Sequence, residues 1–139
     1  MKYKILVTDP ISDSGISILD KNNCEIIYKA DNKDQISELL PDIDAWIIRS
    51  GTKISAEDIN LAKKLQVIGR AGVGVDNIDI KAATKHGVVV MNVPDGNSIS
   101  AAEHTMAMIL ALSRNVHLGH QTLNQGLWER ANLVGNELK

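Results

Sequence analysis

Leu65-Gln66-Val67-Ile68-Gly69-Arg70-Ala71-Gly72-Val73-Gly74-Val75-Asp76-Asn77 runs from a short apolar segment into a glycine-rich turn with an arginine inside it. Glycine lets a backbone turn sharply and leaves its N–H groups uncovered, so such a turn can bring amides close to an anion. Arg70 could fork onto the same carboxylate or phosphate. The plain alternative is a glycine-rich connection with a solvent-facing arginine. Its surroundings decide between the two.

On the N-terminal side the chain alternates short β-rich apolar runs with helical patterns. Strands are predicted over residues 4–8, 24–28, 45–48, 67–69 and 88–91. Between them lie a helix after the capping serines Ser12 and Ser14 and one over 33–40, with Ile36, Leu39 and Leu40 on one face. A third opens on the capping box Ser55-Ala56-Glu57-Asp58, and a fourth is capped by Asp79 and ended by Gly87. Five strands alternating with helices predict an α/β fold, a flavodoxin-like doubly wound five-stranded parallel sheet with helices on both faces and right-handed crossovers.

In such a sheet ligands bind beyond the carboxyl ends of the strands, near the point where strand order reverses. Arg49-Ser50-Gly51 ends the third strand, Arg70 and the glycine turn end the fourth, and the fifth leads into Asn92-Val93-Pro94-Asp95-Gly96-Asn97-Ser98. Two arginines, a serine, free amides and an asparagine are thus expected along one edge, as an anion-binding constellation.

Beyond Pro94 the character changes. Asp95-Gly96-Asn97-Ser98 has the composition of a hinge, and Ser100 with Glu103 has the spacing of a capping box. One helix is predicted over 100–124, on the order of 37 Å long at 1.5 Å per residue. Its first half is apolar nearly all round, which calls for neighbours on several sides and suggests a homodimer surface. The expected organisation is a domain over 1–95 and an appended segment over 96–139.

Composition bounds the remaining possibilities. The chain has 139 residues, 15 basic and 17 acidic side chains, a formal charge of −2 and 44% apolar residues. Nothing in that balance favours nucleic acid or an acidic membrane surface as a partner. No apolar run reaches the roughly 20 residues of a membrane span. The single cysteine, Cys24, is expected as a packed core thiol in a reducing, cytoplasmic setting. His104, His117 and His120 fall on the predicted long helix without a completing carboxylate or cysteine, so no metal is expected. Gly72-Val73-Gly74 resembles the opening of a dinucleotide fingerprint, but Asn77 stands where its third glycine belongs and no acidic residue closes a following strand, so no cofactor is expected at that turn.

Four ordered stretches, Arg49-Ser50-Gly51-Thr52-Lys53, Gly69 through Asn77 as quoted, Met91 through Ser98, and Gly126-Leu127-Trp128-Glu129-Arg130, closely resemble the N-terminal part of the D-2-hydroxyacid dehydrogenase family. The resemblance runs along nearly the whole chain. It implies a substrate-binding domain followed by a helix that packs with an NAD-binding domain and near a dimer interface. It places Arg49 and Arg70 on a substrate phosphate and the amides of Val73 and Gly74 on its carboxylate. Ser50 joins the same site, Asn97 sits at the hinge in contact with substrate, and Arg130 reaches a neighbouring subunit's site. Val73 stands where many relatives carry threonine, which removes a hydroxyl contact and leaves the amide. An arginine at position 70 points to a phosphorylated, 3-phosphoglycerate-like substrate, in place of the smaller acids of a glyoxylate or hydroxypyruvate reductase.

The implied reaction is NAD-dependent oxidation of the substrate's 2-hydroxyl. The family's dinucleotide fingerprint and catalytic arginine, glutamate and histidine lie downstream of Lys139, so this chain is expected to be inactive by itself. Two readings of other classes are a signalling receiver domain, in which Asp9 would serve and Arg49 occupies the acceptor aspartate's place, and a non-enzymatic dimerisation module built on the long helix.

Overall fold

The computed structural model describes residues 2–22, 24–31 and 35–139. The chain divides into two compact units, Met1–Gly96 and Asn97–Lys139. In the first, the order is β1 (Tyr3–Val7), α1 (Asp13–Lys21), β2 (Cys24–Tyr28), α2 (Ile36–Leu39) with a 3-10 turn at Leu40–Asp42, β3 (Ala45–Ile48), α3 (Ala56–Leu61), β4 (Val67–Arg70), α4 (Ile80–Lys85) and β5 (Val89–Met91). Residues 33 and 34 of the predicted second helix lie outside the described residues.

The helix starts follow from side chains that accept the orphan N–H groups of a first turn. Ser12 accepts from Gly15 N, and Asp79 Oδ1 accepts from Ala82 N at 2.9 Å. Ser55 and Asp58 form a reciprocal box, Ser55 N donating to Asp58 Oδ2 at 2.8 Å and Asp58 N to Ser55 Oγ at 3.2 Å. Gly87, with φ of 71°, takes the left-handed conformation that ends the turn after α4.

All five strands are parallel, in the order β2-β1-β3-β4-β5. The chain steps one way from β1 to β2 and the other way for every later crossover. Right-handed crossovers therefore put α1 on one face and α2, α3 and α4 on the opposite face. The register aligns Leu6, Trp46, Ile68 and Val90 on the side of the three helices. There they join Leu40, Ile43, Ile59 and Ala83 in the main core. Val7, Ile47, Gly69 and Met91 align on the other side. Val7 is buried there, but Val89 and Met91 expose 58% and 59% of their surface, because α1 stands over the β1–β2 end of the sheet and no helix of this unit follows β5 back. Both faces carry helices, unequally. Cys24 is only partly buried, on edge strand β2, with Sγ 3.5 Å from Asn22 O, and is not the core thiol expected from the sequence.

The second unit departs from its sequence reading. The predicted single helix over 100–124 is two, α5 (Ser98–Ser113) and α6 (Val116–Asn124), followed by a 3-10 turn at Arg130–Asn132. Asn115 takes a left-handed φ of 53°, and the Ser113 carbonyl released by that break accepts from Asn136 N at 2.7 Å. α5 begins two residues before Ser100, so the Ser100–Glu103 box does not form; Asn97 occupies the N-cap without a side-chain bond. His117 and His120 fall on α6, apart from His104 on α5, and His120 Nε2 lies 3.0 Å from Asn124 Nδ2.

Candidate functional site

Strand order reverses between β1 and β3, and the polar loops at that end of the sheet are held by side chains. Beneath them lies a buried cluster. Trp46 Nε1 donates to Thr8 Oγ1 at 2.9 Å, and Thr52 Oγ1 reaches both Thr8 Oγ1 (3.0 Å) and Thr8 O (3.3 Å). Buried polar groups need such partners, and these tie the end of β1 to the loop after β3.

Arg49 is the first residue beyond β3. Its N–H donates to Asp9 Oδ2 at 2.7 Å and its carbonyl accepts from Asn77 Nδ2 at 2.7 Å. Its side chain is exposed, with Nη1 3.5 Å from Pro10 O, and Ser50 beside it is exposed too. Arg70 ends β4 directly across from Ile48. Ala71 N donates to Ile48 O at 2.8 Å, and Gly72 N to Arg70 O at 2.8 Å, so the chain turns sharply there.

That turn folds Arg70's side chain back over Gly72: a Cβ on Gly72 would collide with Arg70 Nη1 and lie 3.0 Å from its Cζ. Arg70 Nε is buried with no hydrogen-bond partner among the described residues. A buried donor on a permanent cation is costly unless an acceptor reaches it. The loop beyond is tied to β5, Asn92 Nδ2 donating to Val73 O at 2.6 Å and Val93 N to Gly72 O at 2.9 Å. Two shallow grooves follow this edge, one bounded by Arg49, Pro10 and Ser12, the other by Arg70, Met91 and Asn92; Ile47 and Ala71 line both.

Arg49, Ser50, Arg70, Val73 and Gly74 are thus collected at one sheet edge of the first unit. Asn97 and Arg130 belong to the second unit, at the start of α5 and of the last 3-10 turn. Sequence reasoning passed over two residues that hold this edge. In the sequence Asp9 reads as the acid of a receiver domain and Asn77 as the residue in a third glycine's place, and neither reading gives it a part in holding this edge. Their position at the end of a strand and of a turn was the available signal.

The family profile described as D-isomer specific 2-hydroxyacid dehydrogenase, catalytic domain, matches residues 5–132. The chain belongs to that family. Among its 2-hydroxyacid dehydrogenase relatives, the D-3-phosphoglycerate dehydrogenase of Archaeoglobus fulgidus is 45% identical over 137 residues, 98% of this chain and 26% of the relative. The chain therefore spans about a quarter of the length of the curated relatives it matches. Among solved structures, the NAD complex of the NAD-dependent formate dehydrogenase of Staphylococcus aureus is similar with a TM-score of 0.85 and 29% identity, over 98% of this chain and 46% of that one. The NAD+-bound 3-phosphoglycerate dehydrogenase of Entamoeba histolytica is 35% identical with a TM-score of 0.69, over 82% and 40%. Family membership displaces the receiver reading.

NAD, which those two structures contain, does not fit the glycine turn of this chain. Arg70 lies against Gly72, Asn77 stands at the third glycine's place with its amide engaged on carbonyls, and Asp79 puts a carboxylate over the N-terminus of α4. A pyrophosphate needs an open helix N-terminus there.

Proposed function

We propose that this chain is the substrate-holding segment of an NAD-dependent D-2-hydroxyacid dehydrogenase acting on 3-phosphoglycerate. The observation that carries the reading is Arg70, with its guanidinium folded over a glycine turn and its buried Nε without an acceptor among the described residues, at the sheet edge where the Arg49 loop also begins. Such a donor calls for an anion. The 45% identity to a D-3-phosphoglycerate dehydrogenase supports the choice of a phosphorylated hydroxy acid.

In this reading Arg49 and Arg70 meet the phosphate, Ser50 adds a hydroxyl, and the amides of Val73 and Gly74 take the carboxylate. Asn97 contacts substrate from the start of α5, and Arg130 acts at a neighbouring subunit's site. Residues 1–95 form the substrate-binding domain, and 96–139 lead toward an NAD-binding domain. The groups that accept the hydride from C2 and the proton from its hydroxyl belong to sequence outside this segment. α5 exposes Met106, Met108, Ile109, Leu110 and Leu112, and in this reading it pairs with a second copy in the cytoplasm. No described helix is long and apolar enough to cross a membrane.

Calorimetric titration of the chain with 3-phosphoglycerate and with hydroxypyruvate tests the assignment. Arg70→Ala is expected to weaken 3-phosphoglycerate binding by roughly 10- to 100-fold, as loss of charge-assisted hydrogen bonds predicts, and to leave hydroxypyruvate within about threefold. Equal affinity of the variant and the unaltered chain for 3-phosphoglycerate would remove Arg70 from the site.

A further inference from the structure

Beyond Ile48 no strand ladder holds the Arg49 peptide, yet both of its polar groups are bound by side chains from other loops. Asp9 takes the N–H and Asn77 the carbonyl. Asn77 does more than this. The same amide nitrogen donates to Thr52 O at 2.5 Å, and Asn77's own carbonyl accepts from Ile54 N at 2.8 Å. Both hydrogens of the amide are therefore directed at carbonyls of the loop after β3. A carboxylate of the same shape could not take its place, since it has no hydrogen to donate.

Asn77 also closes the loop that Arg70 opens. At the near end, the loops after β3 and β4 are joined by the Ile48–Arg70 register and the Ala71 N to Ile48 O bond. At the far end they are joined by Asn77. Between these fastenings, residues 72–76 form the turn, itself tied to β5 through Val93 N to Gly72 O and Asn92 Nδ2 to Val73 O. The spacing of Arg49 and Arg70 is thus held by backbone ties at both ends, the Ile48–Arg70 register and the Ile54–Ile78 bridge, and the Asn77 side chain adds to them its two bonds to Arg49 O and Thr52 O.

We infer that Asn77 is a positioning residue that fixes the spacing of the Arg49 and Arg70 loops, so that the edge favours a ligand with two anionic ends over a single anion. The inference rests on the substrate-site reading given above and adds to it the residue that sets the ligand's span. Asn77 touches no substrate in this scheme; it acts through the backbones of Arg49 and Thr52.

The test compares 3-phosphoglycerate with inorganic phosphate on the 139-residue chain. Asn77→Ala is expected to weaken 3-phosphoglycerate about tenfold and inorganic phosphate less than threefold, and Asn77→Gln, which keeps an amide nitrogen with two hydrogens, to recover part of the difference. Losses of equal size for both ligands, or no loss for either, would overturn the inference while leaving the site in place. An unaltered chain that binds neither ligand would overturn the site reading and this inference with it. In the unaltered chain, the Asn77 side-chain amide protons should exchange slowly with solvent and shift on adding 3-phosphoglycerate; rapid exchange of both protons overturns the inference even if the Ala variant does not fold.

Discussion

Residues 2–96 and residues 97–139 handle the same kinds of apolar side chain in opposite ways. In the first unit Leu6, Ile43 and Ile68 expose none of their surface; in the second, Ile99 exposes 76% and Leu112 62%. Lack of apolar side chains does not explain the contrast, since α5 carries Ile99, Met106, Met108, Ile109, Leu110 and Leu112. What differs is a second layer. The sheet receives three helices on one face and builds a core from them, whereas neither α5 nor α6 buries a single residue. A helix apolar on every side is stabilised by what packs on it, not by its own hydrogen bonds. The first unit has a buried core of its own, and the second leaves its large apolar side chains uncovered.

The contrast is most easily broken at Trp46. It is almost fully buried, packs at the centre of the main core and donates to Thr8. Trp46→Ala is expected to cost the first unit about 3–5 kcal/mol, a large share of a typical domain's stability, in urea unfolding followed by circular dichroism. A loss under about 1.5 kcal/mol would show that the unit does not depend on this core.

A charge on α5 sharpens the same contrast from the other side. Leu110→Glu is expected to leave the first unit's unfolding free energy within about 0.5 kcal/mol, as for other exposed positions, while shifting sedimentation toward the monomer. An unchanged sedimentation profile at concentrations where the unaltered chain associates would exclude α5 as the contact.

The smallest effect is expected at the surface pair of Lys64 and Asp42, 2.7 Å apart and more than half exposed. Their side-chain hydrogen bond and then their mutual charge hold the Asp42 carboxyl below its ordinary pKa and the Lys64 ammonium above its own. The depressed acid stabilises the fold above its unfolded pKa and loses that contribution as pH falls through its folded value. The raised base contributes below its unfolded pKa and loses it as pH rises through its folded value. Lys64→Met should therefore lower the thermal midpoint slightly between about pH 5 and 9, and progressively less as the pH is taken down from the carboxyl's ordinary 3.8. A midpoint difference that does not shrink as the pH falls would mean that the ion pair contributes nothing.

Much of the first unit was legible because its signals are local. Short β-branched runs mark the strands, the Ser55–Asp58 box and Asp79 announce their helices, and Arg49 and Arg70 follow strand ends that the alternation places at one edge. The features that escaped depend on distant partners. The α5–α6 break turns on Asn115's backbone and on Asn136, 23 residues beyond the Ser113 carbonyl it meets. An all-round apolar pattern has no phase to reveal such a break. Unequal cover of the two faces follows from strand order, which is a pairing property. Asn77 looked like a glycine out of place because its partners lie 28 and 25 residues earlier.

The clamped Arg49 peptide also bears on when ordering entropy is lost. With its N–H held by Asp9 and its carbonyl by Asn77, that stretch of backbone is confined before any ligand arrives. The entropic cost of fixing it belongs to folding, so in the proposed site only the exposed Arg49 side chain would have to be ordered on binding.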